Sequence, residues 1–292
     1  YHGWHDWYLA ANIKNKSSLD NHVMQGLPTS GVPKKLANNI FTFEYNNLDE
    51  LKNIVKKNNI GAIKMEVMRN HSPKNGFLKK VRKIASENNI ILIFDECTSG
   101  FRQAFGGLHK CYNVEPDMAM FGKAMGNGYA ITAVIGKKSI MESAQSSFIS
   151  STFWTEKIGP SAAIKTLEEM KKIKSWEIIT QKGMYIKNKW KEISKASKVP
   201  IDIYGIDAMP SFKFQKQHHL KLKTYFTQEM LKKGYLAASS IYVSTSHTEK
   251  IIDNYLNIMN DIFFKISKFE SEEDIESKLE GPVCHSDFVR LN

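Results

Sequence analysis

Asp95 closes the apolar run Ile90–Phe94, whose continuity predicts a strand buried on both faces. An acid at the C-terminal end of such a strand lies where open α/β sheets place their ligands. A carboxylate beside a buried apolar run is costly without a cationic partner. A protonated ring nitrogen would serve; a solvated or helix-capping acid in the following loop is the plain alternative. Lys123 follows 28 residues later, in the stretch Met118-Ala-Met-Phe-Gly-Lys-Ala-Met-Gly-Asn-Gly128, which holds no other charge. An amine there can act as a nucleophile toward a carbonyl, forming a Schiff base. Gly122, Gly126 and Gly128 allow close approach of backbone to a ligand, although their spacing is not that of a phosphate-binding P-loop. A lysine reaching along the surface into water explains the same residue. Thr152 comes 29 residues after Lys123, in Ser150-Ser151-Thr152-Phe153-Trp154. Hydroxyls ahead of a helix can help bind a phosphate or can cap the helix. The opening Tyr1-His2-Gly3-Trp4-His5-Asp6-Trp7 offers rings that can stack on a planar group. His2, His5 and Asp6 lack a third ligand at a recognisable spacing, so no metal centre is predicted.

The elements that must position these residues alternate between helix and strand. Ala62–Met65 predicts a strand that ends at Glu66. Leu78, Val81, Ile84 and Ala85 share one helical face, and Asn88-Asn89 ends that helix. Asp117–Phe121 and Tyr129–Ile135 predict two further strands. This order implies an α/β domain with a mostly parallel sheet. Beyond Gly159 the pattern becomes α+β. Helices are predicted over Pro160–Met170, Trp176–Ser197, Leu220–Lys233 and Glu249–Ile266. Strands are predicted over Ile201–Tyr204 and Ser211–Phe214, and Tyr235–Ser244 is read as extended. Phe269–Glu280 reads as a linker or surface helix. The expected domains are therefore residues 1–172, 173–268, and a linker and tail over 269–292.

Composition narrows the function. The net charge is +11, but the lysines are scattered along helices such as Lys79–Lys83 and Lys171–Lys191, without a nucleic-acid-binding motif. No apolar run approaches the roughly 18 residues a membrane span needs, and Tyr1–Tyr8 does not read as a signal peptide. Cys97, Cys111 and Cys284 are odd in number and match no metal spacing, which fits free thiols in a reducing cytoplasm.

Taken as a set, these motifs resemble the class III, fold type I aminotransferases that depend on pyridoxal 5′-phosphate (PLP). The likeness is nearest to the glutamate-1-semialdehyde 2,1-aminomutase branch. It rests on the Tyr-His-Gly opening, Asp95-Glu-Cys-Thr-Ser-Gly-Phe-Arg102, Pro116-Asp117, Gly122-Lys-Ala-Met-Gly126-Asn-Gly128 and Ser151-Thr152, in the family's order. Gly234-Tyr-Leu-Ala and His247-Thr248 fit further along.

The resemblance implies a fold type I large domain, here partial, followed by a smaller C-terminal domain. It implies that Lys123 carries the cofactor as a Schiff base and shuttles a proton, while Asp95 keeps the pyridine nitrogen protonated. It further implies that Tyr1 stacks on one ring face, with His2 and Gly3 beside it, and Cys97 lies against the other. Glu66 lies near the cofactor, and Thr152 reaches the phosphate of a neighbouring subunit in a homodimer with shared active sites. The implied reaction is transamination or aminomutation of a small amino acid, amino-aldehyde or amino-sugar precursor. A non-catalytic or truncated fold type I subunit is the alternative. In the family a large N-terminal portion precedes the Tyr-His-Gly motif and supplies a phosphate-binding turn, so the sequence reads as lacking that portion. The aminomutases also carry an acid just before the His-Thr pair, whereas Ser239–Ser246 has none.

Overall fold

The computed structural model describes residues 1–3, 5–20, 26–215 and 217–285. Trp4 of the aromatic opening and the last residues of the tail lie outside that set. The chain divides into two compact units. The first comprises Tyr1–Ile63, Pro73–Ile90 and the stretch from Cys284; the second comprises Lys64–Ser72 and Ile91–Val283.

In the first unit, helices α1 (Asp6–Leu9), α2 (Leu48–Lys57) and α3 (Phe77–Glu87) carry the regular structure. The α2 helix begins where Asn47 accepts the Glu50 amide N–H at 3.2 Å, with acids in its first turn and lysines in its last. On α3, Phe77, Leu78, Val81 and Ala85 are buried at helical spacing. Asn89 takes φ +56, a left-handed conformation that suits asparagine and ends the helix. Tyr8, Ala11, Leu19 and Leu27 form a small separate core against Tyr1, Leu9 and Ile40.

Four strands form one sheet in the order β1 (Ala62–Glu66), β2 (Ile91–Asp95), β3 (Met118–Phe121), β4 (Ala133–Gly136). Strands β2 and β3 are parallel, with Asp95 opposite Met120; β3 and β4 are antiparallel, with Phe121 opposite Ala133. The last predicted strand of this sheet therefore starts later than expected. Tyr129 and Ala130 instead belong to the turn that packs over Gly126, where an added Cβ would sit 2.2 Å from the Tyr129 carbonyl oxygen. Leu92 and Phe94 are fully buried in β2, whereas Ile91 and Ile93 on its other face are half-buried, so the burial on both faces that the apolar run predicts is met on one face only.

The remainder of the second unit holds α4 (Lys138–Met141), α5 (Ile158–Ile173), α6 (Ser175–Ser197), the antiparallel pair β5 (Ile201–Tyr204) and β6 (Ser211–Phe214), then α7 (His219–Lys232), α8 (Glu249–Ile266) and α9 (Glu272–Glu276). Trp190, Phe212, Phe214, Phe226 and Phe263 form an aromatic cluster here, with Trp190 and Phe212 centroids 4.9 Å apart at 75°. Tyr235–Ser244 forms no full strand, but it pairs with residues 208–212 through the Ser240–Ser211 bridge and the Phe212, Ile241 and Val243 amide N–H groups. A capping box between Ser271 and Asp274 opens α9, giving the acidic segment one short helix. No helix among the described residues is long and apolar enough to cross a membrane.

Candidate functional site

The C-terminal ends of β2 and β3 bring two of the predicted residues to one edge of the sheet. Asp95 is the last residue of β2 and is 7% exposed. Its Oδ1 accepts the Cys97 amide N–H at 3.1 Å, which folds the chain back over the carboxylate. The Lys64 ammonium on neighbouring β1 lies 3.8 Å from its Oδ2. Lys64 was not a predicted site residue. Its signal was available: it is a charged residue within the apolar strand ending at Glu66.

Lys123 leaves β3 after Phe121 and Gly122. Its φ is +44, a left-handed conformation unusual for a side-chain-bearing residue. Its carbonyl accepts the amide N–H groups of Gly126 and Asn127, both at 3.1 Å, which holds the turn. The Nζ donates to Thr98 Oγ1 at 2.6 Å. Gly122 is tightly enclosed: an added Cβ would sit 3.0 Å from Cys97 Sγ. Cys97 thus packs over the backbone one residue before Lys123.

The loop that carries Cys97 and Thr98 is fixed from inside by Glu96, which is fully buried. Its Oε2 accepts the Ser99 hydroxyl at 2.5 Å; its Oε1 accepts the His109 amide N–H at 3.0 Å and meets His109 Nδ1 at 2.9 Å. Asp117 plays a similar part at the start of β3. It accepts the Leu92 amide N–H at 2.8 Å and the Lys137 ammonium at 2.6 Å, tying β2, β3 and β4 together. These two acids are positioning residues that the motif contained without revealing their work. Only the folded loop shows which donors surround each one.

The other predicted residues are placed as follows. Glu66 ends β1, and its Oε1 lies 3.6 Å from Arg69 Nη1. Thr152 is exposed in a turn, and α5 begins only at Ile158, so the hydroxyl cluster does not sit at a helix N-terminus. Tyr1, His2 and Gly3 belong to the first unit, whereas Glu66, Asp95, Cys97, Lys123 and Thr152 belong to the second. A cleft of about 730 Å³ in the first unit, lined in part by Ala11, Phe41 and Asn53, contains none of these residues.

An acid and an amine at the ends of adjacent parallel strands, beside a glycine turn, form a donor set that fits PLP. The carboxylate suits a protonated ring nitrogen, and the amine suits an aldehyde. Comparison with known proteins decides the family. The class-III aminotransferase profile matches residues 1–263. The chain belongs to the class-III aminotransferases. Its similarity to the 3-aminobutyryl-CoA aminotransferase of Cloacimonas acidaminovorans is 36% identity over 78% of this chain and 54% of that protein. Similarity to the glutamate-1-semialdehyde 2,1-aminomutase of Methanosphaera stadtmanae is 32% identity over 92% of this chain and 67% of that protein. The chain therefore spans between half and two thirds of the length of these relatives.

Solved structures agree on the fold. The PLP internal aldimine form of the FumI protein from a Sphingopyxis species superposes with a TM-score of 0.80 at 21% identity, covering 91% of this chain and 63% of that one. An omega-transaminase from Sphaerobacter thermophilus gives 0.79 at 18% identity, covering 92% and 67%. The class-III aminotransferase chain thus has the fold type I architecture expected from its sequence, and PLP is the cofactor of its family.

Proposed function

We propose that this chain provides the cofactor lysine and the ring-nitrogen acid of a PLP-dependent enzyme that transfers amino groups. The observation that carries the reading is the placement of Asp95 and Lys123 at the C-terminal ends of neighbouring parallel strands. When bound, PLP supplies an electron sink for the pair of electrons left when the substrate loses a proton.

The remaining chemistry belongs to this chain's residues. Lys123 would hold the cofactor through its Nζ, and the same nitrogen would serve as the base that moves the substrate proton. The Asp95 carboxylate, buried and oriented by the Cys97 amide, holds a proton on the ring nitrogen by charge and hydrogen bonding. Cys97 supplies a small, soft contact on one ring face. Glu66, at the end of β1, would stand near it. Residues 173–268 act as the family's smaller C-terminal domain.

The substrate is a small amino compound. Transfer to a second substrate is favoured over return of the amine to the same molecule. Ser239–Ser246 contains no acid, and its Tyr242 lies over the Arg102 guanidinium, 4.9 Å from Cζ to ring centroid. Homodimerisation is supported by Phe148, Phe153 and Trp154, which are 98%, 75% and 66% exposed around Thr152. So much exposed aromatic surface in one short segment is typical of an interface.

The test is an absorbance titration of the protein with PLP beside a Lys123→Ala variant. A Schiff-base band that borohydride abolishes is expected only in the parent protein. No band in the parent, or an equal band in the variant, would remove the reading. Consumption of 2-oxoglutarate in the presence of amino donors would then separate transfer from aminomutation.

A further inference from the structure

Three side chains outside the assigned set connect the Lys123 amine to a distant segment. Thr98 is 5% exposed, and its Oγ1 accepts the Lys123 Nζ–H at 2.6 Å. Its carbonyl oxygen accepts the Arg102 Nε–H at 2.7 Å. The Arg102 guanidinium lies over the Tyr242 ring, with Cζ 4.9 Å from its centroid. Tyr242 is itself held by a backbone ladder. Ile241 N–H donates to the Pro210 carbonyl at 3.0 Å, and Val243 N–H donates to the Ala208 carbonyl at 3.1 Å. The Gln103 side chain strengthens the same connection by accepting the Asp207 N–H at 2.9 Å.

We propose that Thr98 is a positioning residue for the Lys123 amine, and that Tyr242, acting through Arg102, holds Thr98 in place. This rests on the reading of Lys123 as the cofactor lysine.

The physical case has two parts. A lysine side chain has four rotatable bonds, and ordering it costs up to about 2 kcal/mol of rotamer entropy. The Lys123 backbone, in its left-handed turn, fixes only the first atoms of that chain. A hydrogen bond at the far end fixes the nitrogen. With one N–H directed at Thr98, the nitrogen, once it has given up its extra proton, presents its lone pair elsewhere, toward an aldehyde. The second part concerns Thr98 itself. Its hydroxyl direction depends on its backbone, and Arg102 grips that backbone at the carbonyl. Burial lowers the Arg102 guanidinium from its ordinary pKa, while Tyr242 acts in the opposite sense. A guanidinium stripped of water binds an aromatic face more strongly than an exposed one.

The test uses protein labelled with ¹³C,¹⁵N-lysine and no cofactor, with the Lys123 signal assigned by its loss in Lys123→Arg. A held amine gives two distinct ε-proton shifts, and a freely rotating one gives a single averaged shift. Two shifts are expected in the parent, in Thr98→Ser, which keeps the hydroxyl, and in Tyr242→Phe, which keeps the ring. One averaged shift is expected in Thr98→Val and Tyr242→Ala. On addition of PLP, the Schiff-base band should grow roughly tenfold more slowly in Thr98→Val and roughly threefold more slowly in Tyr242→Ala. Thr98→Ser and Tyr242→Phe should remain within about twofold of the parent on the same scale. Two distinct shifts surviving in both Thr98→Val and Tyr242→Ala, or one averaged shift in the parent, overturn the proposal. A parent protein that forms no Schiff-base band refutes the proposed function instead, and the lysine spectra still decide the relay.

Discussion

Replacing Glu96 by alanine should be among the most damaging single changes in this protein, although Glu96 does no chemistry. Its carboxylate is fully buried and serves three donors: the Ser99 hydroxyl, the His109 amide and the His109 ring. Alanine leaves all three in a water-free pocket. Hydrogen bonds to a charged group contribute about 1.5–3 kcal/mol each, and an orphaned buried donor costs about 1–3 kcal/mol. The Ser99 hydroxyl can turn to another acceptor, so the loss is dominated by the two His109 donors. That gives a net destabilisation of about 3–5 kcal/mol, in the range for removing one partner of a buried hydrogen-bonded pair. For a chain of this size the melting temperature should fall by about 5–8 °C. Glu96→Gln keeps one acceptor oxygen, and its amide can donate to a neutral His109 nitrogen, so it should lose only about a third as much. Thermal unfolding followed by far-ultraviolet circular dichroism checks both variants. A Glu96→Ala protein that melts within about 2 °C of the parent would show that the Glu96–His109 pair is not holding the loop.

Other expectations follow from contacts of different kinds. An alanine at Gly183 would place Cβ 1.7 Å from the Asp207 carbonyl oxygen, so Gly183→Ala must move α6 or the facing turn. It should cost about 1–3 kcal/mol in urea unfolding, and an unchanged midpoint would contradict that packing. His247 Nδ1 accepts the Ser244 amide at 3.3 Å and is held below its ordinary pKa, first by burial and then by Lys182. The unfolded chain then binds the proton more readily. The His247 contribution is present above the unfolded value of about 6.5 and is lost as pH falls through the lower folded value. His247→Gln should flatten the melting temperature across that acidic window, and an unaltered pH profile would rule the group out. Lys64 stands 3.8 Å from the Asp95 carboxylate, where it would compete with a cationic ring nitrogen. Lys64→Met should therefore tighten PLP binding by a few-fold, about 1 kcal/mol for a partly exposed pair, as read by equilibrium titration. Unchanged or weaker binding would count against that competition.

The sequence alone carried a large part of this protein. Strict apolar runs such as Ile90–Phe94 and the helical spacing of Ile252, Tyr255, Leu256, Met259 and Phe263 fix which faces are buried, because burial of apolar area is local in its pattern. The order of Asp95, Lys123 and their glycines pointed to the family on type and spacing. Three things were not legible. The late start of β4 depends on a turn packing over Gly126, a contact between residues with no periodic signal. The work of Glu96 and Asp117 depends on donors from residues 13 and 25 positions away in the chain. The Tyr242–Arg102–Thr98–Lys123 contacts join segments far apart in sequence through single directional bonds. Periodicity reports whether a side chain faces the core or the solvent. Only the tertiary structure decides which other side chain it meets there, because a hydrogen bond needs two groups within about 3 Å and in line.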